Sequence, residues 1–290
     1  MIKQFFHHYH IPNMPLRPTY SDITRAATQV YQRSHHHIKG LSLTPYAWLF
    51  EEFYANADEP FTNHHNGHTG TPTKINYDSS VALVTMRWLQ KLSRSGAFIN
   101  YGSGSNAFTN EIAGFLARKV AMFPQSSSDL TQLEVGTKDK IGIAYYPRMD
   151  GRRANGVSIG GASLWISNDK SAKVQQGAWD FIKFTLRPQV QAEWQLKTGY
   201  LAVNERDFNE PKLKHYFAQH PEARIPAKQL MDTKPNDNNS GIYMLNLTHQ
   251  RLVTQEMMNH VYNGASIWHS LNGASSDMHK SIQETNMANR

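Results

Sequence analysis

Cysteine is missing from all 290 residues. Its absence excludes disulfides, thiolate catalysis and Cys-ligated zinc together, and suits an exported protein as well as a cytosolic one. No apolar run reaches the roughly 18–20 residues that a membrane-spanning helix needs. The opening stretch from Met1 to His10 has no apolar h-region, no small-residue cleavage site and no lipobox cysteine, so it shows no signal peptide. Enzyme signatures are missing too: there is no G-x-S-x-G, no P-loop and no G-x-G-x-x-G, and Gly102-Ser103-Gly104-Ser105 reads as a flexible turn. The sequence therefore predicts no catalytic residue, no cofactor and no enzyme. Glu51-Glu52 and Asp58-Glu59 have no converging partner in the sequence and read as surface charges.

Basic residues outnumber acidic ones, 30 Lys+Arg to 23 Asp+Glu, giving a net charge of +7. That balance favours anionic partners. The charges are scattered without a basic block, which argues against nucleic acid and leaves a membrane surface or a small phosphorylated ligand. A hydrophobic content of 39% and a charged content of 18% fit a globular protein long enough to bury a core. Three histidine groups stand out: His7-His8-His10, His35-His36-His37 and His64-His65-His68. None has an H-E-x-x-H pattern or a carboxylate at helical spacing, so they read as solvated histidines and no metal is expected.

Apolar periodicity places the elements. Ala26, Ala27, Val30 and Tyr31 mark a helix entered at Ser21 or Asp22, and Val81, Val84, Trp88, Leu89 and Leu92 mark another that Gly96 stops. A His/Asn/Gly/Thr-rich stretch over 55–75 reads as an exposed excursion. Phe108, Ile112 and Phe115 share a helix face, Val120–Phe123 is a short buried strand, and Ile141, Ile143 and Tyr145 alternate as a further strand. The stretch 159–203 reads as strand, helix, a second helix started by Pro188 and a return strand. Residues from 204 onward read as helical, with Leu245–Val261 as the longest candidate. This order of elements predicts α/β layers with a helical C-terminal cap.

Two segments carry a resemblance. Gly160-Gly161-Ala162-Ser163-Leu164-Trp165 and Glu193-Trp194-x-x-Lys197-Thr198-Gly199-Tyr200-Leu201 resemble the hinge crossings of family 1 extracytoplasmic solute-binding proteins, which capture ligands for ABC importers. The likeness is strongest to the members that bind sn-glycerol 3-phosphate. It runs without a gap from Gly161 to Tyr200 and on to Arg251, and Ala121–Ser128 resembles the strand-and-serine segment ahead of the hinge. It implies a type II periplasmic-binding-protein-like two-lobe fold, N-terminally truncated, because Lys3–Ile11 resembles the segment just after the first crossing. By that resemblance residues 1–160 form the second lobe without its first strand, 161–203 a residual part of the first lobe, and 204–290 the C-terminal helices. Helices in 161–203 would then expose apolar faces, Phe181 and Ile182 among them.

The same resemblance places Ser126, Gly161, Tyr200 and Arg251 at ligand-contacting positions, with Trp48 beside Tyr46 as an aromatic patch near the cleft mouth. Each residue type suits a phosphorylated glycerol: Arg for phosphate oxygens, Ser and a glycine N–H as neutral donors, and Tyr as a hydroxyl donor. Without the family, Ser126 reads equally as a helix cap, Tyr200 as a half-buried strand residue, Arg251 as a solvated charge and Trp48 as core. The implied function is capture of sn-glycerol 3-phosphate or a glycerophosphodiester, impaired in a truncated chain; a sugar-binding relative is the alternative. ABC permease subunits with their ATPase are the implied partners, the protein is expected as a monomer, and the family's location is extracytoplasmic.

Overall fold

Thr19, rather than Ser21 or Asp22, opens the first long helix, and a capping box is the reason. In this computed structural model, which describes residues 1–289, Thr19 Oγ1 accepts from the Asp22 N–H at 3.2 Å and Asp22 Oδ2 accepts from the Thr19 N–H at 3.0 Å. The reciprocal pair satisfies donors that a helix start otherwise leaves open. Asp22 is therefore inside the helix, at its third position.

The chain divides into two units. Unit 1 comprises Met1–Pro124, Asp139–Ile159 and the described residues from Lys228 onward, and unit 2 comprises Gln125–Lys138 and Gly160–Ala227. Unit 1 begins with α1 (Lys3–His8), α2 (Tyr20–Arg33), β1 (Lys39–Ser42), α3 (Ala47–Ala57), α4 (Ser80–Arg94), β2 (Phe98–Ile99), α5 (Ala107–Leu116) and β3 (Val120–Met122). Unit 2 carries α6 (Leu130–Gly136), α7 (Ala172–Thr185), α8 (Pro188–Thr198) and α9 (Pro211–Gln219). After α10 (Ile225–Asp232), the helices α11 (Leu247–Tyr262) and α12 (Ile267–Ala288) complete unit 1. The longest C-terminal helix is thus α12, not the expected 245–261 segment; its sparse apolar positions gave a weaker pattern than α11.

In unit 1 the strands form a parallel sheet of order β2-β1-β3, with Leu41 opposite both Phe98 and Met122. Parallel pairing requires crossovers, and the intervening helices supply them, giving the α/β layering expected. Gly40 in the central strand lets α2 lie against it, since a Cβ there would stand 2.2 Å from the Ala27 backbone. The core is rich in aromatics: Phe50, Phe53 and Tyr54 of α3 are buried with Phe61 and Tyr77. Tyr20 stacks on Trp88 at 4.1 Å, and the Trp88 indole N–H donates to Thr24 Oγ1, so the large rings fill volume and keep their polar atoms paired.

Three sequence expectations are overturned here. Residues 141–145 form no strand, only a single bridge between Ile141 and Ile2. The 55–75 stretch is anchored, not a free excursion: Phe61, Thr62, Asn66 and Ile75 are buried. Asn66 holds it, its Oδ1 accepting from the Phe61 and Thr62 N–H groups at 2.7 and 2.9 Å. No strand forms at 159–166 or 199–203 either. Within the described residues no backbone N–H of 159–166 is hydrogen-bonded.

Unit 2 has a small core of its own: Ala192, Leu213, Phe217 and Ala223, with Leu196, Phe208 and Tyr216 packed on them. Pro188 sits in the first turn of α8, where its missing N–H costs nothing. The chain after α8 is held by side chains in place of a ladder. Gln195 Oε1 accepts from the Ala202 N–H at 3.0 Å and Gln191 Oε1 from the Val203 N–H at 3.2 Å. That is why no return strand forms. α7 buries none of its residues, and Trp179, Phe181 and Phe184 are exposed.

Candidate functional site

Arg251 and Trp48 belong to unit 1; Ser126, Gly161 and Tyr200 belong to unit 2. The unit 1 pair is positioned by α3 and α11. On α3, Trp48 and Glu51 stand three residues apart and so share a face. On α11, the buried Gln250 and Thr254 fix the helix rotation. Tyr77 Oη lies 2.6 Å from Thr254 Oγ1, and Gln250 Nε2 donates to the same oxygen at 2.8 Å. Arg251, next to Gln250, is thereby turned toward α3.

There it meets a partner 200 residues away in the chain. Arg251 Nε donates to Glu51 Oε1 at 3.2 Å and Nη2 to Glu51 Oε2 at 3.1 Å. The pair is only partly open to solvent, with 35% of the Arg251 side chain exposed and 11% of that of Glu51. Burial opposes the guanidinium charge, but the hydrogen bonds and charge of Glu51 outweigh it and hold the Arg251 pKa above its ordinary value. Arg251 is thus neither a solvated charge nor an open cation: it is a bidentate half of an ion pair. Beside it the half-buried Tyr46 sets its ring 4.8 Å from Phe108, edge-on, and 6.4 Å from Trp48, tilted.

Neither Glu51 nor Glu52 is the surface charge the sequence suggested, because α3 points one at Arg251 and the other into the core. Glu52 is 2% exposed. Its Oε2 accepts from the Ser158 N–H at 2.9 Å, its Oε1 has no partner, and burial pushes its pKa up to about 8. Sequence gave no signal for either role, since both depend on residues about a hundred or more positions away.

In unit 2, Ser126 caps the short 3-10 turn Ser127–Asp129. Its Oγ accepts from the Ser128 N–H at 3.3 Å and lies 2.9 Å from Ser128 Oγ. Gly199 ends α8 at φ +75°, and a Cβ there would come within 2.5 Å of the Ser128 carbonyl oxygen. The turn leading into Tyr200 therefore packs against the serine segment, a closeness only glycine permits. The Tyr200 ring is half exposed, and its hydroxyl has no hydrogen-bond partner among the described residues. Gly161 has nothing within 4 Å of the place a Cβ would take. Gln191 and Gln195, which hold the 199–203 segment, were not singled out in the sequence; the paired glutamines at four-residue spacing were the available signal.

The third histidine group is tied to residues more than 170 positions further along the chain. His65 Nδ1 lies 2.9 Å from Asp237 Oδ2 and His68 Nε2 lies 3.2 Å from the Gly241 carbonyl. Among the described residues no cluster of His, Asp or Glu is arranged to hold a metal ion, and no helix is long and apolar enough to cross a membrane.

Comparison with known proteins places these features in a family. The pattern described as "Bacterial extracellular solute-binding protein" matches residues 17–219. The sn-glycerol-3-phosphate-binding periplasmic protein UgpB of Yersinia pseudotuberculosis is 26% identical over 220 residues, covering 75% of this chain and 49% of its own length. UgpB of Pectobacterium atrosepticum is 27% identical over 221 residues with the same coverage. The chain thus spans about half the length of the curated relatives it matches. Among solved structures, UgpB from Mycobacterium tuberculosis in complex with glycerophosphocholine superposes with a TM-score of 0.77 at 15% identity, covering 99% of this chain and 68% of that one. The sugar-binding protein MalE from Xanthomonas citri gives 0.78 at 14%, with the same coverage.

Proposed function

The chain belongs to the bacterial extracellular solute-binding proteins, and from that premise we propose that it serves as the ligand-capturing component of an ABC importer, with sn-glycerol 3-phosphate or a glycerophosphodiester as ligand. Its fold is that of the periplasmic binding proteins. The observation that carries the ligand class is Arg251: a planar guanidinium, partly exposed, fixed by two hydrogen bonds to Glu51 and near enough to Tyr46 to feel it electrostatically. Such a group suits phosphate oxygens, which accept its fork of donors. We assign Ser126 and Tyr200 as hydroxyl donors, Gly161 as a backbone N–H donor and Trp48 as an apolar wall for the glycerol carbons. Unit 1 corresponds to the second lobe and unit 2 holds the part of the first lobe between two hinge crossings. The partners are ABC permease subunits with their ATPase, met outside the cytoplasm, with the protein as a monomer.

A second reading is favoured by one specific observation. Glu51 already neutralises Arg251, and aromatic faces beside a hydrogen-bonding pair also suit a neutral sugar ring.

Thermal unfolding separates the two. Ligand bound only by the native state raises stability, by about 2.7 kcal/mol at a hundredfold excess over Kd. Millimolar sn-glycerol 3-phosphate is expected to raise the Tm of the 290-residue chain, and Arg251→Ala to abolish the rise. A rise with maltose but none with the phosphate ester sinks the phosphate reading and supports the sugar one.

A further inference from the structure

Cations that are scattered along the sequence are collected by the parallel sheet of unit 1. Because β1, β2 and β3 run the same way, the turns that lead into them lie together at one end. Two of the three histidine groups stand there. His35, His36 and His37 lie in the turn between α2 and β1, while His7 and His8 end α1 and His10 follows it; all six are exposed. Direct contacts join the two groups. Arg33 Nη1 donates to the Tyr9 and His10 carbonyl oxygens at 2.5 and 3.0 Å, and the His36 ring stacks on Tyr31 at 4.5 Å. Lys39 Nζ lies 4.6 Å from the centre of the same Tyr31 ring and donates to the Gly96 carbonyl at 2.8 Å. The Lys39 N–H donates to the Lys119 carbonyl at 2.9 Å, and the Arg118 guanidinium lies 4.9 Å from the Phe5 ring of α1, which completes the circuit.

The fixed charges at this end are almost all of one sign. Lys3, Arg33, Lys39, Arg94, Arg118 and Lys119 are carried by the segments that build it, and Lys140 flanks α1. Asp139, 2.9 Å from Arg118, is the single carboxylate in residues 1–10, 31–39, 94–97, 117–120 and 139–142. Tyr9 and Tyr31 are the other titratable groups there. Cations near the ends of α2 and α5 meet the negative end of a helix dipole, but that gives no reason for six exposed imidazoles on the neighbouring turns. Histidine is the side chain whose charge changes between about pH 5 and 8, so mild acidification adds positive charge to a surface that is already cationic. The family is extracellular, which puts an anionic lipid headgroup layer within reach and nucleic acid outside it. Lys39 opens β1 at this end, and the strand runs from there toward α3, so Glu51 and its partner Arg251 lie beyond the opposite end of the strand.

We propose that this end of unit 1 is a docking surface for an anionic lipid bilayer, engaged more tightly as pH falls because the two histidine groups gain charge beside Arg33, Arg118 and Lys119. The surface is separate from the candidate ligand site, and its role does not depend on which ligand the protein captures.

Sedimentation of the full 290-residue chain with lipid vesicles tests it. Vesicles of phosphatidylglycerol and phosphatidylcholine in equal parts are compared with phosphatidylcholine alone, at about pH 5.5 and about pH 7.5. Partition onto the phosphatidylglycerol vesicles is expected to be about tenfold higher at the lower pH and to fall as salt is raised. One cation close to such a surface changes partition about fivefold, so Lys119→Gln is expected to lose about fivefold at both pH values. His35→Asn, His36→Asn and His37→Asn together remove three imidazoles, and Asn tolerates the left-handed backbone at positions 35 and 36, where φ is +51° and +68°. This variant is expected to match the wild type at the higher pH and to lose about half of the low-pH gain on a logarithmic scale. His7→Gln, His8→Gln and His10→Asn together form the second variant should the first fail to fold, with the same expectation. Equal partition onto both kinds of vesicle would mean apolar insertion and overturns the proposal. A low-pH gain that survives in both histidine variants overturns it too, as does retention on heparin without vesicle binding, which would make the surface a site for an acidic polymer.

Discussion

Glu52 illustrates how one residue's surroundings decide its chemistry. It is adjacent to Glu51 in sequence, yet it is buried, accepts one backbone hydrogen bond from Ser158 and leaves its other oxygen unpaired. Burial, helped by the Glu51 charge and opposed by the Ser158 N–H, pushes its pKa up to about 8 from an unfolded value near 4.5. Between those two values the folded chain binds the extra proton, so stability falls as pH rises through the window. Its contribution is fully present below about pH 4.5 and is lost as pH passes about 8. Each pKa unit is worth about 1.4 kcal/mol, which makes the penalty a few kcal/mol at alkaline pH. Glu52→Gln removes the titration. Denaturant melts of both proteins from pH 5 to 9 are expected to show the variant gaining relative stability with pH; parallel curves would mean that Glu52 is solvated. The sequence concealed this, as it did the Glu51–Arg251 pairing, because a carboxylate in a Glu-Glu dipeptide looks the same whether its helix turns it outward or inward.

Elements were legible in proportion to how local their causes are. The helices α2, α4, α5, α7 and α8 follow from apolar spacing and end signals, and they stand where that spacing put them. Caps are nearly as local. Thr19→Ala removes the capping-box acceptor of α2 and is expected to cost about 1 kcal/mol, read as a lowered urea midpoint with unchanged m-value. An unchanged midpoint would assign the capping to Asp22 alone. Strands are different, since a strand exists only when another strand accepts its hydrogen bonds. Val120–Met122 has β1 beside it and pairs; the alternating 141–145 run makes a single bridge, to Ile2, with isolated backbone hydrogen bonds to Met1 and Leu16, and 199–203 is bonded to Gln191 and Gln195 side chains. The sequence marked all three as strand candidates, 120–123 as a short apolar run and 141–145 by alternation. Partners, which periodicity cannot see, decided among them.

At the scale of the whole molecule the two units differ in how much of their own apolar surface they bury. Unit 1 encloses a sheet and an aromatic core, and its α11 buries seven of sixteen residues, Val253, Met257, Met258 and Val261 among them. In unit 2, α7 buries none, and Trp165 ahead of it is 90% exposed. Val174, Ala178, Phe181 and Ile182 share the helix face their spacing predicts; Phe181 is exposed as expected, with Val174, whereas Ile182 and Ala178 are half-buried, yet spacing of that kind ordinarily signals a face with something packed on it. Local stability follows buried contact, so helices with few buried residues open with far less free energy than the global transition requires. Hydrogen–deuterium exchange read by mass spectrometry is therefore expected to label α7 well before α11, with α8 between them because Gln191, Ala192 and Gln195 are buried. Fast exchange throughout α7 means the helix is held by its own hydrogen bonds and its Ser171 cap alone. Protection of α7 equal to that of α11 would instead mean that its apolar side is covered in solution. A repeat at several protein concentrations would then show whether copies of this chain supply the cover, since only self-association makes protection rise with concentration.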